Sequence, residues 1–183
     1  MAATSAEVQA AVDALGASLR HAVLVEDVEH RPLWWSAQGE VDGTRMRTIL
    51  QRQVEPVAAA VVARFGLARA EGPVRTPAVP EAEMLPHWCV PLRAGRDLLG
   101  YLWVLDADET VTEAQLPEIV ARAELAAGAL ASQRVTDEER AQRRAGLLAR
   151  LAFGPDEDAA GEMIRLENLD PTATVTVQAP PHP

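Results

Sequence analysis

Residues 88 to 105 constrain the fold more than any other part of this sequence. Trp88, Cys89, Val90 and Leu92 lead into the turn sequence Arg93-Ala94-Gly95-Arg96, and Leu98 to Leu105 then form an apolar run. Two apolar stretches joined by a short link containing glycine read as a β-hairpin. The second stretch is apolar throughout rather than alternating, which suits a central strand covered on both faces. A sheet is therefore expected to form around residues 98 to 105.

The flanking sequence supplies the other elements. Thr4-Ser5-Ala6-Glu7 has the form of a capping box, and Val8, Val12, Leu15 and Leu19 follow at the period of one helix face, so a helix is expected over residues 5 to 20. Its apolar stripe is narrow, like a coiled-coil seam, which points to another helix as its partner. Residues 22 to 28 and 31 to 37 read as a hairpin in which Trp34 and Trp35 take opposite faces. Residues 44 to 53 and 55 to 65 favour helix, as two helices or one broken helix, with Pro56 suited to a first helical position and Gly66 to a stop. Pro73, Pro77, Pro80 and Pro86 restrict residues 71 to 86 to an edge strand and a loop over the sheet.

Thr112 and Gln115 form a second capping box ahead of Leu116, Ile119, Val120, Ala123, Ala127 and Leu130 at heptad-like spacing. Ala126, Gly128 and Ala129 keep that surface flat, so helices can approach closely. Thr136 with Glu139 is expected to open a further helix, ended by Gly154-Pro155; a shorter helix near 158 to 167 and a Thr/Val strand over 172 to 178 follow. The order helix, hairpin, helices, edge strand, hairpin, long helix gives an α+β class. It is a largely antiparallel sheet with helices on one side and long terminal helices free to pack together.

Composition removes several chemistries. The 183 residues suit one domain with an appendage. All 17 basic residues are arginine, so a GxxxxGK phosphate loop, a Schiff-base lysine and a lysine base are excluded. Arginine and alanine in place of lysine also fit a high-GC bacterial source. The 27 acidic residues give a net charge of -10, which argues against nucleic-acid binding by this chain alone. Cys89 is the sole cysteine, which excludes an intramolecular disulfide and a cysteine metal cluster and fits a reducing compartment. The amino terminus lacks the basic start and apolar core of a signal peptide, and no apolar run approaches the ~20 residues of a membrane span. A cytoplasmic chain with no membrane partner is expected.

Three stretches carry a family resemblance. Pro73-Val74-Arg75-Thr76-Pro77-Ala78, Met84 to Arg93, and Leu98-Leu99-Gly100-Tyr101-Leu102-Trp103-Val104-Leu105-Asp106 resemble the amino-terminal GAF-like domain of PucR-type (CdaR-like) transcription regulators, with Gly100 to Asp106 the most specific piece. The resemblance covers residues 20 to 133, and more loosely 143 to 178. It implies a GAF/PAS-like sensor domain that would be followed by a degenerate cyclase-like domain and a helix-turn-helix. On this reading residues 1–21 are a dimerisation helix, 22–133 the sensor domain, 134–155 a connecting helix, and 156–183 the start of a truncated second domain or a disordered tail. The implied function is signal sensing and dimerisation without catalysis, with DNA reached only through an output domain outside this chain. The alternative is a purely structural oligomerisation module with no ligand.

Candidate sites are few. His21, His30, His87 and His182 show no i,i+3 or i,i+4 pairing, so neither a metal set nor a cofactor is expected. Cys89 reads as a small buried apolar residue. Glu26-Asp27 and Asp106-Ala107-Asp108-Glu109 read as solvated strand ends, and no serine sits in a GxSxG elbow. Arg75, between two prolines, either presents a rigid fork to an anionic ligand or pairs with a surface carboxylate. Trp35, Trp88 and Trp103, with His87 and Arg75, are the candidate lining of a pocket for an unidentified effector, although core packing explains the tryptophans equally well. Arg140, Arg143, Arg144 and Arg150 give the late helix a basic face that reads as solvated. Val8, Val12, Leu15, Leu116, Ala123, Ala127 and Leu130 are the candidate homodimer interface.

Overall fold

The computed structural model describes residues 2–36 and 56–169. The expected helix over 44 to 53, the strand over 172 to 178 and His182 lie outside the described residues. The chain divides into two compact units, Met1–Ser132 and Gln133–Pro183.

The first unit is α+β. Helix α1 (Ser5–Leu19) is followed by β1 (Val23–Asp27), β2 (Pro32–Trp35), α2 (Pro56–Arg64), β3 (Val74–Thr76), β4 (His87–Ala94) and β5 (Asp97–Leu105), and α3 (Leu116–Ala152) then begins. The strands form one antiparallel sheet in the order β2-β1-β5-β4-β3. The apolar run thus becomes the central strand. Ala94 pairs with Asp97, so Gly95 and Arg96 close β4 to β5, and Gly95 takes the φ of 61° that glycine adopts without penalty.

Each face of the sheet has its own core. On the first face Val23, Val25, Val90, Leu92, Leu102 and Val104 pack with Val8, Val12, Leu15 and Leu19 of α1 and with Ile119, Ala123, Ala126 and Ala127 of α3. On the second face Leu24, Cys89, Tyr101 and Trp103 lie with Val61 and Val62 of α2 and with Leu67, Val79, Ala82 and Met84. The register slips between Leu92 and Arg93, so Leu98 joins the second core and Leu99 the first. Trp34 is buried on the first face, where its indole Nε1 donates to Ser5 Oγ at 2.9 Å, while Trp35 is 42% exposed.

Three expectations are corrected. Helices cover both faces rather than one, because β5 is apolar on both sides and α2 has an apolar stripe to bury. The α1 seam faces its own sheet: Val8, Val12 and Leu15 are 1%, 1% and 0% exposed, and a side chain so buried within one chain has no surface left for a second copy. Ala123 and Ala127 are likewise buried in that core, and Leu116 and Leu130 pack partly against it. Finally, Thr136 does not open a helix, since α3 runs unbroken for 37 residues. Residues 132 to 145 hold neither glycine nor proline and are dominated by Glu, Arg, Ala and Gln, so a helix nucleated at Leu116 meets nothing that stops it.

The second unit pairs the end of α3 with α4 (Glu157–Glu167). Among the described residues Leu147, Ala159 and Met163 are its buried apolar side chains. Asp156 caps α4 by accepting from the Ala159 N–H and is held by Arg150, with Nε–Oδ2 at 2.9 Å. Arg143 and Arg144 of the expected basic face point to Glu162 and Glu167 at 3.2 and 3.7 Å, which neutralises them.

Candidate functional site

The second face of the sheet carries polar groups that a merely stable core does not need. Strand alternation puts Glu26 on the same side as Leu24, opposite Tyr101, and burial leaves Glu26 6% exposed. The β1–β2 turn then brings a partner back to it. Asp27 Oδ1 accepts from the backbone N–H groups of Glu29 and Arg31, both at 2.9 Å, and the His30 N–H donates to the Asp27 carbonyl at 3.0 Å. This places His30 in the left-handed region, with φ 61°.

From there the imidazole stacks on Tyr101, with ring centroids 5.4 Å apart and planes 8° off parallel. Its Nδ1 lies 2.7 Å from Glu26 Oε1, and the same oxygen accepts from Trp103 Nε1 at 2.8 Å. Trp103 in turn meets His87 edge-on at 5.9 Å, and His87 Nδ1 lies 2.6 Å from the Leu85 carbonyl. Four rings from His30 to His87 therefore run across the face around one buried carboxylate.

The hydrogen bond to Glu26 holds the His30 pKa above its ordinary 6.5; burial opposes this, and the charges of Glu26 and Asp27 assist. Burial pushes the Cys89 thiol well up, helped by Glu26, and raises the Tyr101 phenol. Neither side chain is therefore an anionic nucleophile at neutral pH.

The five residues assigned to a pocket from sequence do not converge. His87 and Trp103 share the second face with Trp35, whereas Trp88 and Arg75, paired across β4 and β3, belong to the first. Adjacent residues of a strand point to opposite faces, so His87 and Trp88 cannot line the same one. Trp88 packs against the α1 and α3 core, and its buried Nε1 has no hydrogen-bond partner among the described residues. Arg75 is held by Glu109 at 3.1 Å, with the Asp106 carboxylate at 3.9 Å, and so takes the carboxylate-pairing alternative.

Both acidic stretches also need correcting. Asp106 is fully buried, and its Oδ1 accepts from the backbone N–H groups of Thr110 and Val111 at 2.8 and 3.1 Å, which folds the loop into α3. Glu26 is buried in the same sense rather than solvated. The signal in the sequence was the Glu26/His30 spacing of four across a turn, following an apolar strand.

Beside the first core an open groove of about 560 Å³ runs along α3, with Val120, Gly128 and Ala131 on one side and Pro73 and Pro91 on the other. Among the described residues no group of three or more His, Cys, Asp or Glu side chains is placed to hold a metal, and no helix is long and apolar enough to cross a membrane.

No protein-family model matches the sequence, and no curated protein matches it.

Proposed function

We propose that this chain is the non-catalytic sensing and dimerisation module of a bacterial PucR-type transcription regulator, acting in the cytoplasm. Its sheet is read as GAF/PAS-like, with the second face as the sensing surface and α3 as the route to an output helix-turn-helix outside this chain. The observation that carries the reading is the Glu26–His30–Trp103 cluster. A buried ion pair adds little stability over well-packed apolar side chains of the same volume, so a core under selection for folding alone has no use for one. A regulatory face does, because a polar cluster that an effector can re-pair gives that effector different affinities for two arrangements.

Catalysis by the buried thiol or the buried Asp106 carboxylate is the weaker alternative. The Cys89 thiol is held protonated, and Asp106 spends one oxygen on backbone donors while Arg75 stands by the other. Homodimerisation belongs to the proposal through the open side of α3, where small residues border the groove and residues 132 to 146 are all exposed. A ligand-free structural module is the second reading, favoured by the stacking of His30 on Tyr101, which fills the face with the chain's own rings.

Native mass spectrometry of the whole chain tests these readings together. A dimer retaining a small molecule is expected. A bare dimer after exposure to candidate effectors favours the structural module, and a bare monomer overturns the dimeric regulator.

A further inference from the structure

The charged pair at the β1–β2 turn is built from one element that is easily moved and one that is not. Glu26 and Trp103 sit on the two innermost-paired strands, β1 and β5, whose register continues from Val23 to Asp27. His30 sits on a turn whose own hydrogen bonds run mostly to Asp27, and β2 beyond it is a four-residue edge strand. The turn is thus a local unit hinged on Asp27, and its hold on the interior is the imidazole: Nδ1 on Glu26 Oε1 and the ring on Tyr101.

We propose that His30 and Glu26 form a proton-operated latch that keeps the β1–β2 turn closed over the second face. With the proton bound, imidazolium and carboxylate compensate each other at 2.7 Å inside the core. When His30 releases its proton to solvent, the carboxylate retains its Trp103 donor but loses its counter-ion. A buried charge without a counter-ion is costly, and the least disruptive relief is for the turn to lift and admit water to Glu26.

The titratable and charged groups facing His30 among the described residues are Glu26 and Asp27 of β1 and Tyr101 of β5, with Cys89 of β4 near Glu26 and the Arg93 guanidinium of β4 acting on Tyr101. The two carboxylates favour the closed, protonated form, while the thiol and the phenol are uncharged at neutral pH. Arg31, the nearest cation on the turn, is held by Asp27 and Glu29 at 2.7 and 2.6 Å. Histidine is the side chain whose titration falls in the physiological range, which makes the latch responsive there. Opening would reach α1, because β2 is tied to it by Trp34 on Ser5 and by Gln9 Nε2 donating to the Trp35 carbonyl at 3.0 Å.

The latch regulates the site assigned above to sensing and rests on that reading for its purpose, but its operation needs no effector. The test uses the ligand-free whole chain, so it can succeed where effector binding fails, and the reverse. The Trp103 indole N–H resonance, assigned with Trp103→Phe, is followed by nitrogen-proton correlation spectra from about pH 5.5 to about pH 9. The expected result is an inflection above 6.5, the ordinary histidine value, that disappears in His30→Gln. Amide exchange in the turn, corrected for intrinsic rate, should rise about 10-fold or more through the same inflection. A flat Trp103 resonance, an inflection that survives in His30→Gln, or turn exchange that ignores the inflection overturns the proposal. If His30→Gln fails to fold, the imidazole Cε1–H resonance of the unmodified chain decides, because it must share the Trp103 midpoint.

Discussion

At the scale of single residues, the second face is decided by two side chains whose neighbours dictate their state. His30 has a raised pKa in the folded chain, so its contribution is complete below the unfolded value of about 6.5 and is lost as pH rises through the folded value. Replacing it with alanine strands Glu26 and should cost about 3 kcal/mol at acidic pH. Urea unfolding at a series of pH values is expected to show the gap between His30→Ala and the unmodified chain narrowing as pH rises above neutrality; a gap that widens would contradict the pairing. Gly100 acts on the same strands through space rather than charge. A Cβ there would fall inside contact distance of the Glu26 carbonyl oxygen, with the Asp27 Cα 3.1 Å away, so β1 and β5 approach this closely only because the side chain is absent. Gly100→Ala should therefore cost about 1–3 kcal/mol in the same unfolding assay and move the Trp103 resonance.

At the scale of elements, local signals were legible wherever they were chemical. The capping box at Thr4 and Glu7, Pro56 at the start of α2, the glycine in the β4–β5 turn and the central position of β5 could all be read from residue type and spacing. What spacing could not give was which surface a stripe would meet. The 4-3-4 seam of α1 is equally compatible with a helix or a sheet as partner, and the sheet takes it because the first face offers Val23, Val25 and Val104 within the same chain. Thr136 failed for a different reason: a capping sequence opens a helix only where the preceding helix has already ended. The pocket residues scatter because strand parity sends neighbours such as His87 and Trp88 to opposite faces, and the Glu26–His30 cluster draws one of its members from a turn. The α1 assignment has a direct check. Leu15→Ala, at a fully buried position, should cost about 2–5 kcal/mol in unfolding free energy, and that loss should not depend on protein concentration. Were α1 a seam between copies, dilution would deepen the effect. Dimerisation through α3 predicts the opposite pattern for the exposed position Gly128. Gly128→Arg, placed where no described residue outside the helix's own neighbouring backbone lies within 4 Å of an added Cβ, should leave folding intact and lower the dimer fraction in light scattering.

At the scale of the whole molecule, α3 is one helix with two environments along its length. Its first half, through Ala129, buries Ile119, Ala123, Ala126, Ala127 and Ala129 in the core of the sheet unit, and its last turns bury Leu147 with Ala159 and Met163 of α4. Between them, residues 132 to 146 are exposed at every position, so their helicity rests on propensity, on pairs such as Arg134–Glu138 at 2.9 Å and, from Arg140 to Arg144, on polar contacts with α4 rather than on buried apolar area. A helical stretch of this length without a buried apolar face is marginal in water. Cooperative protection should therefore fall in the middle of α3 and recover less fully beyond it, since among the described residues the second unit is anchored by three buried apolar side chains, Leu147, Ala159 and Met163. Hydrogen exchange resolved by peptide is expected to protect residues 116 to 131 about 100-fold more than residues 132 to 146 within the same continuous helix. Such a step would mean that the two units open independently, and that anything ordering the exposed stretch, whether a second α3 or an output domain, sets how strongly the sheet unit is heard beyond it. Uniform protection along α3 would instead make the helix a rigid rod in the isolated chain, leaving the turn at His30 as the mobile part on which regulation has to act.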